Sequence, residues 1–224
     1  MKGRFLMSRI LFILTSHDRL LDGKPTGLWL EEHAVPFMAF TEAGHEVTVT
    51  SVAGGDVPVD PNSTPSPDQA AAWAPAIAAL KDTPAYDRID TTGFDAVYLP
   101  GGHGTMFDMP FNRRLHDLLF AFADAGRLVA AVCHAPAVFG DMRRPDGTPF
   151  VKGRRLAAFT DSEEAAVGGT HNVPFLLETR LKQLGALHEG TADWGVKAVQ
   201  DGRLITGQNP QSSGEVARLV LAAL

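Results

Sequence analysis

A run of five apolar residues, Leu128 to Val132, ends in the chain's only cysteine, Cys133, and a histidine follows at once. Leu128 to Phe139 constrains the fold more than any other stretch. An uninterrupted apolar run of this length, rich in valine and alanine, reads as a buried strand. The small-residue segment after it reads as a helix start, so Cys133 falls on a sharp strand-to-helix turn. Such a turn lifts a side chain out of the sheet and strains the backbone beneath it. It also sets the thiol near the positive end of a helix, which favours the thiolate. The logic is that of a nucleophile elbow with sulfur in place of oxygen. The competing reading is a small apolar residue closing a strand, since free cysteines are often buried and inert.

The flanking sequence alternates in kind. Arg9 to Thr15, Glu46 to Ser51, Ala96 to Leu99 and Leu128 to Val132 read as successive strands. Between the first two, Gly27 to Phe40 is helical over its second half. Pro36 lacks a donor and crowds the preceding turn, which predicts a broken or late-starting helix with Glu31 and Glu32 near its N-terminal end. Asn112 to Ala125 carries Leu115, Leu118, Leu119 and Phe122 at helical spacing. Ala53 to Pro67 holds two glycines and four prolines and reads as a long loop, with a helix capped by Ser66 or Asp68 running on to Leu80. Residues 53–90 are thus extra to a minimal doubly wound fold.

Beyond Cys133, Asp141 to Arg155 reads as a turn or small hairpin and Leu156 to Phe159 as a short strand. Thr160 to Glu164 reads as a helix start and Val173 to Leu184 as a helix. Val196 to Val199 and Arg203 to Thr206 flank Asp201-Gly202, a hairpin signal. Glu215 to Leu224 reads as the last helix. Strands alternating with helices give an α/β fold with a mostly parallel sheet and a late antiparallel excursion, expected as one domain over 1–224.

With 45% hydrophobic and 21% charged residues there is ample material for a core. The formal net charge of -6 argues against nucleic acid or an anionic membrane surface as the main partner. Met1 to Arg4 is basic and Ile10 to Leu14 apolar, but that run is too short for a signal peptide and leads into Ser16-His17-Asp18-Arg19 without a cleavage-like site. No stretch approaches the roughly 18 apolar residues of a membrane span. One cysteine excludes an intrachain disulfide and fits a reducing, cytoplasmic compartment.

In an open parallel sheet the functional residues gather at the carboxyl ends of the strands. Three features fall there: the loop Ser16 to Thr26 with the helix start behind it, Pro100-Gly101-Gly102-His103-Gly104, and Cys133-His134. A Gly-Gly pair turns backbone N–H groups toward a bound oxygen, as an oxyanion hole requires, although the same pair also makes a plain tight turn. No GxGxxG or GxxxxGK[ST] is present, so no nucleotide cofactor is expected. Neither a cysteine pair nor HExxH is present, and no metal is expected. His45, His116 and His188 sit at polar places on surface elements and read as solvated. His17, His33, His103, His134 and His171 remain as candidates; a metal built from some of these with Glu32 is demanded by no spacing.

Ala131-Val132-Cys133-His134-Ala135-Pro136-Ala137 resembles the nucleophile motif of the ThiJ/PfpI superfamily, which is related in fold to class I glutamine amidotransferases. Three further segments agree in order and spacing. Gly27 to Phe37 resembles the acidic helix start, Leu99 to Gly104 the oxyanion loop, and Phe159 to Glu164 the segment that supplies the third triad acid in the heat-shock chaperone and glyoxalase III subgroup. Gly202 to Pro210 matches the penultimate strand and its loop. The resemblance runs from about Arg9 to Leu224 and implies a flavodoxin-like doubly wound sheet.

It also implies roles. Cys133 is the nucleophile, His134 its base, and Glu164 the acid that holds His134, with Glu163 as the alternative. Glu32, four positions before Pro36, is the acid that hydrogen-bonds the thiol, with Glu31 as the alternative. Backbone amides of Gly102 and His134 form the oxyanion hole, and His17, His103 and Gly101 line the substrate pocket. Ala135 departs from the family by standing where many members have glycine. A glutamate beside a thiolate has a raised pKa and stays protonated near neutral pH, so it can exchange a proton with substrate.

The implied activity is that of a glutathione-independent glyoxalase, a cofactor-independent lyase that converts methylglyoxal to lactate, or glyoxal to glycolate, through a cysteine hemithioacetal. The alternatives on the same residues are a peptidase, an amidase, an isocyanide hydratase or a deglycase. One of another class is a stress-related holding chaperone whose cysteine is a redox sensor. The partner is a small reactive aldehyde, and a homodimer is expected.

Overall fold

The architecture is that of a computed structural model, which describes residues 7–224; the basic start Met1 to Arg4 lies outside the described residues. In chain order the first elements are β1 (Arg9–Leu14), α1 (Leu30–Glu42) and β2 (Glu46–Ser51). The excursion that follows carries two short helices, α2 (Pro67–Ala72) and α3 (Ala74–Ala78). Then come β3 (Ala96–Leu99), α4 (Thr105–Asp108), α5 (Arg113–Asp124) and β4 (Leu128–Val132). A six-residue 3-10 helix, Ala135–Gly140, stands directly after Cys133. The remainder is β5 (Arg155–Leu156), α6 (Asp161–Ala166), α7 (Leu177–Gln183), β6 (Leu187–His188), β7 (Ala198–Asp201), β8 (Leu204–Gly207) and α8 (Ser213–Ala223).

Six strands form one sheet in the order β2-β1-β3-β4-β8-β7. The pairs among β2, β1, β3, β4 and β8 are parallel, and β7 closes the sheet antiparallel to β8. This is the doubly wound, flavodoxin-like α/β arrangement: a mostly parallel sheet flanked by helices. β3 and β4 are buried at every residue, as central strands covered on both faces must be. The register sets Val132 beside Gly207 and Leu99 beside Ala131. The segments leaving β3, β4 and β8 therefore emerge side by side at one edge.

Helix α1 does not break at Pro36. It runs unbroken from Leu30 to Glu42. Pro36 cannot donate to the carbonyl of Glu32, one turn earlier. The hydroxyl of buried Tyr98 donates to that oxygen instead, at 3.3 Å. A side chain from the central strand thus supplies the bond the proline omits, and Glu32 stays in a regular first turn.

The Pro-rich excursion props the same helix from outside. Leu28 and Val59 form a short bridge, the Leu30 N–H donates to Ser63 Oγ, and Leu28, Leu30, Val57 and Leu80 share a small apolar cluster with Leu14. The expected single helix from Ser66 to Leu80 is interrupted at Trp73, just before Pro75, although Ser66 does cap its start in a capping box with Gln69. The helix expected from Val173 starts later, at Leu177, since residues 173–175 bend and Leu176 is extended.

Three further expectations are corrected. The element after Cys133 is 3-10, not α, so no long helix dipole backs the thiol. His116 is buried, not solvated: it shares the inward face of α5 with Leu115, Leu119 and Phe122. The His188 side chain is 2% exposed, set between Ala158 O at 3.2 Å and Glu178 at 3.6 Å.

Candidate active site

Cys133 has φ 60, a left-handed conformation that a side chain with a Cβ adopts at a cost. Hydrogen bonds on both sides hold it there. Its N–H donates to Gly207 O and its carbonyl accepts from the Phe159 N–H, each at 2.9 Å. The turn thus lifts Sγ off the end of β4 as the sequence pattern requires.

From Sγ a line of contacts runs through three residues. Sγ lies 3.2 Å from His134 Nδ1, and His134 Nε2 lies 2.8 Å from Glu164 Oε2. The second oxygen of Glu164 lies 2.9 Å from His103 Nε2. A carboxylate accepts only, so both imidazoles carry their proton on Nε2. That leaves His134 Nδ1 with a lone pair facing the thiol.

Glu163, the alternative, is committed elsewhere. Its Oε2 accepts from the N–H and hydroxyl of Thr160, and its Oε1 from Trp194 N–H, Gln208 and Asn209. Thr160-x-x-Glu163 is a capping box, a pattern legible in the sequence, and it turns Glu163 toward the helix start rather than toward His134.

Glu32 stands on the other side of the sulfur. It is fully buried, and its Oε2 accepts from the Gly101 N–H at 2.8 Å. Its Oε1 is buried without a hydrogen-bond partner among the described residues, and it is the oxygen left to carry the proton of the neutral acid. Glu31 is not buried. The glycine loop makes this approach possible: a Cβ on Gly101 would stand 2.7 Å from Glu32 Oε2 and 2.9 Å from His134 N. Gly102 has φ +102 and is packed against the backbone of Gly27 to Trp29.

Burial pushes the Glu32 carboxyl up to about 8, against the lowering pull of Cys133 and the Gly101 amide. Burial, then the charge of Glu32, pushes the Cys133 thiol well above its ordinary value; the Gly102 amide partly counters this. The expectation of a thiolate favoured by a helix end is therefore reversed in the resting protein. Burial, then His103, lowers His134 to about 4, despite Glu164. Burial alone would raise Glu164, but the two imidazoles outweigh it and hold it well below the usual carboxylate range. At neutral pH the resting set is a thiol, a neutral glutamic acid, a neutral imidazole and a carboxylate.

The thiol opens into a cavity of about 110 Å³ lined mainly by apolar groups, with Trp29, Phe159, Val167, Trp194 and Pro210 around Cys133, His134, Gly102 and His103. A second cavity of about 370 Å³ shares Trp29, His103 and Val167 with it and adds polar groups such as Lys24, Asp60 and Asn62. Trp29, Phe159, Val167, Trp194 and Pro210 come from four separate segments, and no local pattern marks them as partners. His17 lines neither cavity: its ring stacks on Phe107 and its Nε2 meets Arg19 O at 2.6 Å. His33 is buried beneath Phe12 and Phe37 and bonded to Ala76 O, and His171 is exposed and lines neither cavity.

Residues 28–223 match the profile of the DJ-1/PfpI family. Glyoxalase 3 of Candida albicans is 32% identical over 232 residues, which cover 97% of this chain and 98% of that one. The glutathione-independent glyoxalase HSP31 of Saccharomyces cerevisiae is 29% identical, over 96% of this chain and 98% of its own. Among solved structures, the glyoxalase III of Candida albicans superposes with a TM-score of 0.85 at 31% identity, covering 97% of this chain and 98% of that chain.

Proposed function

The chain belongs to the DJ-1/PfpI family, and from that premise we propose that it is a glutathione-independent glyoxalase acting on methylglyoxal and glyoxal. The observation that carries the reading is the pairing of a neutral acid, Glu32, with a neutral base, His134, on either side of one thiol in a small apolar cavity. An internal aldehyde-to-acid rearrangement needs an acid and a base at once, and no redox cofactor.

His134 Nδ1 takes the thiol proton as Sγ bonds to the aldehyde carbon. The amides of Gly102 and His134 receive the developing oxyanion, which His134 then protonates. His134 next removes the proton from that carbon while Glu32 protonates the neighbouring carbonyl oxygen, giving an enediol. His134 returns a proton to the second carbon and Glu32 recovers one from the first hydroxyl, leaving a lactyl thioester. Water, deprotonated by His134, displaces the thiol and releases lactate. Glu164 stabilises the imidazolium at each stage and fixes its tautomer.

Incubation with methylglyoxal in D₂O, without glutathione, tests this. The reading requires one lactate per aldehyde, and the share of solvent deuterium at the second carbon reports how far the His134 proton exchanges before it returns; aldehyde loss without lactate would refute the reading. The same reading carries a cytoplasmic homodimer. The single cysteine, needed as a free thiol, suits a reducing compartment, and light scattering of the purified chain tests the dimer. A second reading, release of the same aldehydes from adducts with amines, is favoured by the larger cavity that shares Trp29, His103 and Val167 with the thiol site. A relative from Pseudomonas aeruginosa, 28% identical over 89% of this chain, is named a protein/nucleic acid deglycase.

A further inference from the structure

The rings of His103 and His134 lie 4.0 Å apart between centres and are tilted by 37°. Both present Nε2 to the same carboxylate, at 2.9 and 2.8 Å. Ligand atoms of His103, His134 and Glu164 all lie within 4.8 Å of one another. We propose that these three residues form a binding site for a divalent transition-metal ion of the zinc type, and that its occupation switches the thiol site off.

The geometry is close to that of a bound ion. Three points no more than 4.8 Å apart can share a centre about 2.8 Å or less from each, and zinc bonds nitrogen at about 2.0–2.1 Å, so adjustments of some tenths of an ångström suffice. Two imidazoles and a carboxylate are a donor set that suits zinc and leaves a fourth position open. The His134 and Glu164 side chains are 1% and 2% exposed, and His103, at 15%, lines both cavities and forms the route of entry. Sγ is not a ligand, because it faces the opposite nitrogen of His134.

Occupation has a definite consequence. The ion takes the Nε2 lone pair, so each neutral imidazole moves its proton from Nε2 to Nδ1; nothing is oxidised and no proton is lost. His134 then points an N–H at Sγ and has no lone pair left to accept the thiol proton. The thiol loses its base although the metal never touches sulfur.

Titration of the purified protein with Co²⁺ tests the site independently of any aldehyde turnover. One equivalent should produce visible ligand-field bands without the near-ultraviolet band of a sulfur–cobalt bond. Cys133→Ala should keep the same spectrum. His103→Ala and His103→Gln, checked for folding by circular dichroism, should each weaken Co²⁺ binding at least tenfold. One equivalent of Zn²⁺ should displace the Co²⁺ and slow alkylation of Cys133 by iodoacetamide at least tenfold. A sulfur–cobalt band, loss of binding in Cys133→Ala, or undiminished binding in folded His103→Gln would each overturn the proposal.

Discussion

Replacing Glu32 with glutamine should make the protein more stable and nearly inactive, and the stability gain should depend on pH. Glu32 is fully buried and its carboxyl is raised from 4.5 to about 8. Folded Glu32 therefore holds its proton more tightly than unfolded Glu32. Between those two values the folded state carries a proton that the unfolded state lacks, so stability falls as pH rises through the window. At pH 7 the cost is about 3 kcal/mol, at about 1.36 kcal/mol per unit. Glutamine keeps an acceptor for the Gly101 N–H and never ionises. Its buried amide gives back about 1 kcal/mol for an imperfectly satisfied donor, which leaves a gain of about 2 kcal/mol. For a chain of this length that is a rise in Tm of about 4–8 °C. The assay is thermal unfolding of both proteins from pH 4 to pH 9. Near pH 4 the variant should be the less stable by about 1 kcal/mol, the two should cross near pH 5, and the variant should gain progressively up to pH 8. A difference that stays constant across the range would refute the assignment of a neutral, burial-raised Glu32. Turnover should fall about 10²–10⁴-fold, since the amide gives up no proton.

Three other outcomes follow from the same structure. Tyr98→Phe should cost about 1 kcal/mol by orphaning the Glu32 carbonyl, and adding Pro36→Ala should recover most of it by restoring the helical N–H; urea denaturation of the two single variants and the double variant reads the coupling. His33 is fully buried and lowered to about 4, so the unfolded state binds its proton first and stability is lost as pH falls from 6.5 toward 4. His33→Leu should flatten that acid limb by about 2 kcal/mol between pH 7 and pH 4.5, measured by chemical denaturation at the two values. Glu164→Gln should lower kcat at least 10²-fold with KM little changed, because the acid acts on the imidazolium rather than on substrate; an equal rise in KM would argue against that role.

Much of the scaffold was legible because it rests on short-range patterns. The strand at Ala96 is bounded by Asp95 and Pro100, that at Leu128 is an apolar run buried on both faces, and that at Glu46 shows as an alternation after Gly44. The thiol and the glycine loop were legible as positions at the ends of β4 and β3, whereas Glu32 and Glu164, each in the first turn of a helix, were singled out from Glu31 and Glu163 through the family resemblance. What escaped is what distant contacts decide. Pro36 predicts a break until Tyr98, 62 positions on, supplies the missing donor. The thiol's environment follows from burial beside Glu32, a property of the packed site rather than of the segment after Cys133. Trp194 reaches the cavity through a left-handed turn held by Glu163, which no periodicity signals. The bond between His103 and Glu164 joins residues 61 apart, and its signal was only the histidine within the glycine loop.

Methylglyoxal consumption without added thiol, compared between the native chain and Cys133→Ala, tests the central claim most directly. Sγ makes the first bond to the aldehyde, so the alanine variant should consume the aldehyde no faster than buffer while retaining the native fold. Full turnover by folded Cys133→Ala would contradict the account, whatever the distances among the remaining residues.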